Sequence, residues 1–369
     1  MTSASFRIAV MPGEGIGMEV MDAALAVLDA VEIRFGISCA RDMIPGGAHH
    51  YRETGKALPD DGMARAGAAD AILFGAMGWP DIRLPDGTEI APQLDLRFGF
   101  ELFAGVRPIR AIPGVPQVLA DPRAAKVDLV ILRESTEGMF ASRGKGEVIN
   151  DAEARDTQVI TRRTTERLSH FAFELARRRK RERGTTGSVT LVDKANLLRS
   201  FAYMRKVFDE VAEKHADIAA RHHYVDAMAL DLVRRPWDFD VLPMENLLGD
   251  ILSDLGAGLI GGMGFAPSAD IGSRHALFQP SHGTGPDIAG QGIANPTAMI
   301  LATGMMLDWL GERGGGRAAH LGARAIEHAV DRIFGESRVR SYDIGGRDGT
   351  EAIGAAVAEA IRSGEADPR

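Results

Sequence analysis

The 369-residue chain holds a single cysteine, Cys39, which excludes an internal disulfide and any multi-cysteine metal site. It has no run of about 18 apolar residues, so no membrane-spanning helix is predicted and no membrane partner is expected. It also lacks an excess of base. The formal net charge is −8, which argues against a general nucleic-acid binder, because phosphate contacts need a basic surface. The one basic block, Arg177 to Arg183, follows Phe171, Phe173 and Leu175 at the expected end of a helix. There it complements the helix dipole and is expected to be solvated. No repeat or low-complexity segment stands out. The N-terminus passes directly into the strand-like run Phe6 to Met11 without a signal-type apolar segment, which predicts a cytoplasmic protein.

What is present is ordinary for a globular chain: 45% hydrophobic and 25% charged residues, with length enough for two domains. The opening strand runs into Pro12-Gly13-Glu14-Gly15-Ile16-Gly17 and then a helical stretch, Met18 to Val31. That spacing is not a dinucleotide fingerprint, and a tight β–α turn accounts for the glycines equally well. Ala69 to Ala76, Val127 to Arg133 and Gly187 to Val192 are further β-rich runs separated by helical patterns, which makes the class α/β. The charged segment Gly138 to Arg163 has no clear apolar period. It reads as a mobile loop or as an arm that clasps a second subunit.

The most informative stretch is Glu245 to Asp254. It predicts a helix in which Leu247, Leu248, Ile251, Leu252 and Leu255 form one packed stripe. Asp250 and Asp254 stand four apart, so both carboxylates leave the same side one turn apart. Like charges so placed repel by roughly 0.2–0.5 kcal/mol. A hard divalent cation such as Mg²⁺ or Mn²⁺ between them explains the pair, and two solvated aspartates are the plainer alternative.

Several segments, in order, resemble the β-decarboxylating dehydrogenases that act on isopropylmalate, isocitrate, tartrate and D-malate. They are Pro12 to Gly17, Gly105-Val106-Arg107-Pro108, Arg133 to Gly138 and Val192-Asp193-Lys194-Ala195-Asn196. Tyr224 to Ala229, the Asp250/Asp254 helix, His282 to Gly290 and Gly292 to Thr297 complete the set. Each is weak alone; their shared order over most of the chain is specific.

The resemblance implies an isopropylmalate dehydrogenase-like α/β fold with two doubly wound domains, not a Rossmann domain. Residues 1–102 with 261–369 would form the first, NAD-binding domain, and residues 103–260 the central one, with a dimer-clasping arm at about 138–163. It also implies a homodimer whose active sites are shared, Asp226 joining Asp250 and Asp254 from the neighbouring chain to hold Mg²⁺ or Mn²⁺. The substrate is a small dicarboxylate carrying a 2-hydroxyl. Arg97, Arg107 and Arg133 fall where the family binds its carboxylates, a task suited to the bidentate guanidinium. Lys194 matches the lysine that helps deprotonate the hydroxyl, which requires a depressed pKa, and Asn196 would lie by the nicotinamide. His282, Gly283, Thr284, Gly285, Asp287 and Ile288 resemble the adenosine-binding loop, with Asn295 near the adenine edge. A carboxylate at Asp287 suits the ribose hydroxyls of NAD and repels the 2′-phosphate of NADP.

Two positions depart from the pattern. Phe140 stands where the family has a tyrosine that protonates the enol after decarboxylation, and general acid catalysis typically contributes roughly 10²–10⁴-fold. Water or Ser135 could supply the proton, oxidation could proceed without fast decarboxylation, or the chain could be a regulatory subunit that binds a di- or tricarboxylate without turnover. Ile90, Gln93 and Leu94 are expected to face the group on C3. Gly78-Trp79-Pro80-Asp81 looks closer to tartrate and D-malate enzymes, with 3-isopropylmalate as the alternative substrate.

Overall fold

The computed structural model describes residues 4–367. Twelve strands are present among them: β1 (Ala4–Gly13), β2 (Ile37–Met43), β3 (Ala71–Ala76), β4 (Ala104–Arg110), β5 (Asp128–Glu134), β6 (Glu147–Ile149), β7 (Glu153–Arg155), β8 (Ser188–Asp193), β9 (Ala219–Tyr224), β10 (Val241–Met244), β11 (Pro267–Ile271) and β12 (Ala276–Pro280). The helices are α1 (Ile16–Phe35), α2 (Ala48–Thr54), α3 (Gly62–Gly67), α4 (Pro92–Gly99), α5 (Arg162–Arg183), α6 (Arg199–Ala212), α7 (Val225–Arg234), α8 (Asn246–Leu259), α9 (Thr297–Leu310), α10 (Gly316–Gly335) and α11 (Thr350–Arg362). None is long and apolar enough to cross a membrane.

Ten strands form one sheet in the order β2-β1-β3-β12-β11-β4-β5-β10-β8-β9. The outer strands on each side pair in parallel, as α/β crossovers require, while β12, β11, β4 and β5 are mutually antiparallel. The first five strands in that order come from the two ends of the chain and the last five from its middle, so the β11–β4 pairing is the seam between two halves. Strands β3, β8, β11 and β12 are buried throughout, as strands covered on both faces are; β3 is a continuous apolar run, while the other three also bury Asp193, Asp270 and Gln279. The edge strands are β2 and the polar β9.

Side chains alternate across the seam strands. Arg107 faces a cleft on one side of the sheet, while Val106, Pro108 and Arg110 line a cavity of about 710 Å³ on the reverse face. Arginines bridge the halves there: Arg178 to Asp308 at 3.2 Å, Arg183 to Glu327 at 2.7 Å and Arg110 to Asp331 at 2.8 Å. The basic block is therefore not simply solvated. Arg179 is 7% exposed, with its Nε donating to the buried Asp240 at 2.7 Å.

The helix expected at 245–254 is α8, capped by Glu245, whose carboxylate accepts from Leu248 N at 3.2 Å. Its buried face differs from the expected stripe. Gly249, Leu252, Ser253 and Gly256 pack inward, Leu247, Leu248 and Leu255 are half-buried, and Ile251 is 59% exposed. A Cβ on Gly249 would lie 2.7 Å from Arg133 Cβ, and one on Gly256 2.8 Å from Ile109 Cγ1. Small residues thus bring the helix close onto β4 and β5, and the apolar stripe is only partly buried, with Leu252 inside, Leu248 and Leu255 against the core and Ile251 exposed.

The charged segment after Gly138 contains the isolated hairpin β6–β7, exposed at Val148, before α5 begins at Arg162.

Candidate active site

The cleft at the seam holds about 990 Å³. Gln93, Leu94, Arg97, His282 and Gly283 line it from the terminal segments, and Arg107, Arg133, Phe140, Asp250 and Asp254 from the middle. Ile90 is buried and borders a neighbouring cavity that Phe140 also lines.

The three arginines are buried, and each is held differently. Arg97, from the last turn of α4, donates Nε to Asp270 Oδ2 at 3.0 Å. Arg133, at the end of β5, donates Nε to Asn246 Oδ1 at 2.8 Å and Nη1 to the Asp250 carboxylate. Arg107 Nε is buried with no hydrogen-bond partner among the described residues. Burial first, then the neighbouring Arg97, lowers the Arg107 pKa. Burial, then Arg97 and Arg107, brings Arg133 down to about 9. A dicarboxylate entering this cleft would relieve that crowding of like charge.

Asp250 and Asp254 stand one turn apart on α8, as expected. Burial raises the Asp254 carboxyl; Arg107 opposes this and the like charge of Asp250 adds to it. Two oxygen donors so placed, with the like charge of Asp250 disfavouring the charged form of Asp254, suit a hard cation. Among the described residues, no group of three or more His, Cys, Asp or Glu on one chain could hold a metal ion.

Lys194, Asp226 and Asn196 do not line the cleft. They lie just beyond the ends of β8 and β9, where Lys194 Nζ donates to Asp226 Oδ1 and Asn196 is exposed. That hydrogen bond holds the Asp226 carboxyl below its usual range. The buried Asp193 fixes the turn, accepting from Arg205 at 2.7 Å and from Ala195 N at 3.0 Å.

The loop after β12 packs on the glycine turn of the first strand. Ile16 N donates to Thr284 O at 2.8 Å, and Cβ atoms on Gly13 and Gly15, both with positive φ, would lie 1.9 Å from Ala76 O and 2.2 Å from Thr284 O. Thr284 Oγ1 donates to Gly78 O at 2.7 Å. Gly285 takes φ +51, and Ile288 N closes back on its carbonyl at 3.1 Å. His282 engages Gly283 O through Nδ1 at 2.9 Å, and its Nε2 is buried without a hydrogen-bond partner among the described residues. The Asp287 carboxylate is exposed, with no hydrogen bond or ion pair among the described residues. Asn295 is committed inward: Oδ1 accepts from Thr297 Oγ1 at 2.7 Å, and Nδ2 donates to Asp343 Oδ2 at 3.1 Å.

Sequence reasoning missed two anchoring acids. Glu14 is 3% exposed and accepts from Ala48 N at 2.7 Å, His49 N at 2.9 Å and Gly78 N at 3.0 Å, tying three segments around the glycine turn. An acidic residue between two glycines was the available signal. Asp270 is fully buried behind Arg97, and its position within a buried strand was the only hint.

Residues 7–360 match the family model described as isocitrate/isopropylmalate dehydrogenase, and the chain belongs to that family. It is a hydroxyacid dehydrogenase of the β-decarboxylating type. It is 40% identical over 357 residues to the 3-isopropylmalate/3-methylmalate dehydrogenase of Methanocaldococcus jannaschii, covering 96% of this chain and 99% of that protein. It is 35% identical over 371 residues to the tartrate dehydrogenase/decarboxylase of Pseudomonas putida, covering 98% and 99%. Among solved structures it resembles isocitrate dehydrogenase from Methylococcus capsulatus, with a TM-score of 0.83 and 36% identity over 96% of this chain and 99% of that one. A β-decarboxylating dehydrogenase from Thermococcus kodakarensis gives a TM-score of 0.79 at 36% identity, covering 97% and 96%.

Proposed function

We propose that the cleft oxidises a small malate-type (2R)-hydroxy dicarboxylate, tartrate or D-malate, with NAD and Mg²⁺ or Mn²⁺, in a homodimer that shares its active sites. The observation that carries the substrate choice is Gln93. It lines the cleft on the same helix as Leu94 and Arg97, and its Oε1 is buried with no hydrogen-bond partner among the described residues. A hydroxyl on C3, as in tartrate, donates to that oxygen, and D-malate leaves room for a water to do so. An isopropyl group leaves it bare, at a cost of about 1–3 kcal/mol. The competing reading, 3-isopropylmalate, draws on the apolar Leu94 and Phe140 beside it and on the names of several relatives.

In this reading Arg97, Arg107 and Arg133 grip the two carboxylates and fix which face of C2 is presented. Asp250 and Asp254, with Asp226 of a second copy, hold the cation. Lys194 of that copy takes the hydroxyl proton, its ammonium first passing a proton to solvent. When bound, the cation supplies Lewis acidity at the substrate oxygens and NAD accepts the hydride. The unpaired Asp287 carboxylate is free for the ribose hydroxyls. Residues 1–102 with 261–369, and 103–260, are taken as the two domains, in keeping with the two halves of the sheet.

The shared site draws on three features. Lys194 and Asp226 lie outside the cleft of their own chain. Ile251 on α8, with Leu230 and Val233 on the adjoining α7, leaves an apolar surface exposed. The β6–β7 hairpin, without a further sheet partner among the described residues, is taken as the clasping arm.

The test is NADH formation with Mn²⁺ against tartrate isomers, D-malate, 3-isopropylmalate and isocitrate. Chelator-sensitive turnover of a tartrate isomer or D-malate is expected. Preference for 3-isopropylmalate would replace the substrate assignment, and silence across the panel would favour the non-catalytic binding subunit.

A further inference from the structure

The geometry points to Asp270 as the residue that aims Arg97 at the substrate, a positioning residue for carboxylate binding; this rests on the reading of the cleft as a dicarboxylate site. Asp270 lies on β11, opposite Gly105 of β4 on one side and Leu277 of β12 on the other. Its carboxylate is fully buried, which is costly for an anion unless donors surround it. Three do: Arg97 Nε at 3.0 Å and Gln279 Nε2 at 2.9 Å on Oδ2, and Ser135 Oγ at 2.9 Å on Oδ1. Gly105 makes the last possible, since a Cβ there would stand 2.6 Å from Ser135 Oγ.

The consequence for Arg97 follows from the shape of a guanidinium. Its donors form a rigid planar fork, so fixing Nε fixes the direction of the rest. The Arg97 side chain is 6% exposed and lines the cleft, and neither Nη atom has a hydrogen-bond partner among the described residues. Asp270 therefore takes up the rear of the fork and leaves its front for a ligand carboxylate. Two other roles are possible for such an anion. As an electrostatic brake it would weaken binding of a dianion through its charge, and as a purely structural group it would affect folding alone. The three roles respond differently to substitution.

Asp270→Ala removes both the acceptor and the charge, whereas Asp270→Asn removes the charge and keeps an acceptor for Arg97 Nε. The measurements are calorimetric binding of malonate, a dicarboxylate probe that needs no turnover, and the KM values for substrate and NAD in the Mn²⁺-loaded dimer. Positioning predicts that Asp270→Ala weakens malonate and raises the substrate KM by about tenfold or more. The KM for NAD should stay as in the wild type, and Asp270→Asn should recover to within about threefold. Tighter malonate binding in both variants would establish the brake and overturn positioning. Equal losses in both variants, or a change in both KM values that tracks a lower Tm, would overturn it in favour of a structural role. If Asp270→Ala fails to fold, Asp270→Asn alone still decides, because binding weakened by tenfold or tightened contradicts an acceptor-based role. Absence of both malonate binding and turnover in the wild type would overturn the reading of the cleft itself.

Discussion

Arg133 and Asp250 are joined by a hydrogen bond from Nη1 to the carboxylate, so a group suited to bind substrate already engages a group suited to bind a cation. Neither can serve its ligand fully while holding the other. A dicarboxylate would draw Arg133 away and free Asp250, and a cation would draw Asp250 away and free Arg133. Binding of Mn²⁺ and of malonate should therefore be mutually enhanced, by about tenfold, through reciprocal linkage. Calorimetric titration of each in the presence and absence of the other measures it; independent affinities would show that the pair does not gate the site.

Phe140 lies in the cleft, with Arg133 stacked over its ring at 5.0 Å. The ring is retained and the acidic hydroxyl is missing. Phe140→Tyr should raise carbon dioxide release relative to NADH formation. An unchanged ratio would remove proton donation as the meaning of this position.

If sites are shared, two inactive variants can repair each other. Lys194→Met and Asp250→Asn each spoil both sites of their own dimer. After subunit exchange one site per mixed dimer is intact, so activity should return to about a quarter of wild type. Ile251→Asp should yield monomers by light scattering, and these should lack turnover. Activity in such monomers would rule out the shared site.

Asp231, which does not line the cleft of its own chain, gives a pH test. Arg235 first, then His223, hold its carboxyl at about 2 against an ordinary 3.8. A depressed folded pKa means stability that is present above 3.8 and lost as pH falls through 2. Asp231→Asn should thus lower the urea midpoint at pH 7, and the difference should shrink below pH 3.8 and vanish near 2. A difference that persists at low pH would assign the effect to packing instead.

The strands at Val127 to Arg133 and Gly187 to Val192, the glycine turn and the Asp250/Asp254 pair were legible because local pattern and chemistry agreed there. The apolar stripe on α8 held in part: Leu252 packs inward and Leu248 and Leu255 lie half-buried against the core, whereas Ile251 is exposed. Periodicity says which residues share a face, whereas Gly249 and Gly256 decide which face meets the sheet. Arg179 was misjudged for a related reason: its partner Asp240 is 61 residues away, beyond any local signal. Asp270 was invisible because a lone acid in a buried strand gains meaning only from Arg97, Ser135 and Gln279, which arrive from three other segments.

The seam between β11 and β4 consists of three residue pairs, and Asp270 is the middle one, opposite Gly105. The sheet runs unbroken through it, so the halves are joined by a short hydrogen-bonded ribbon. Arg97 and Asp270 lie on the terminal side of that ribbon and Arg107 and Arg133 on the middle side. A twist about it would change the spacing between the arginines of the two sides while the Arg97–Asp270 contact moves as one. The grip on substrate is thereby geared to the angle between the halves, as a jaw is set by its pivot.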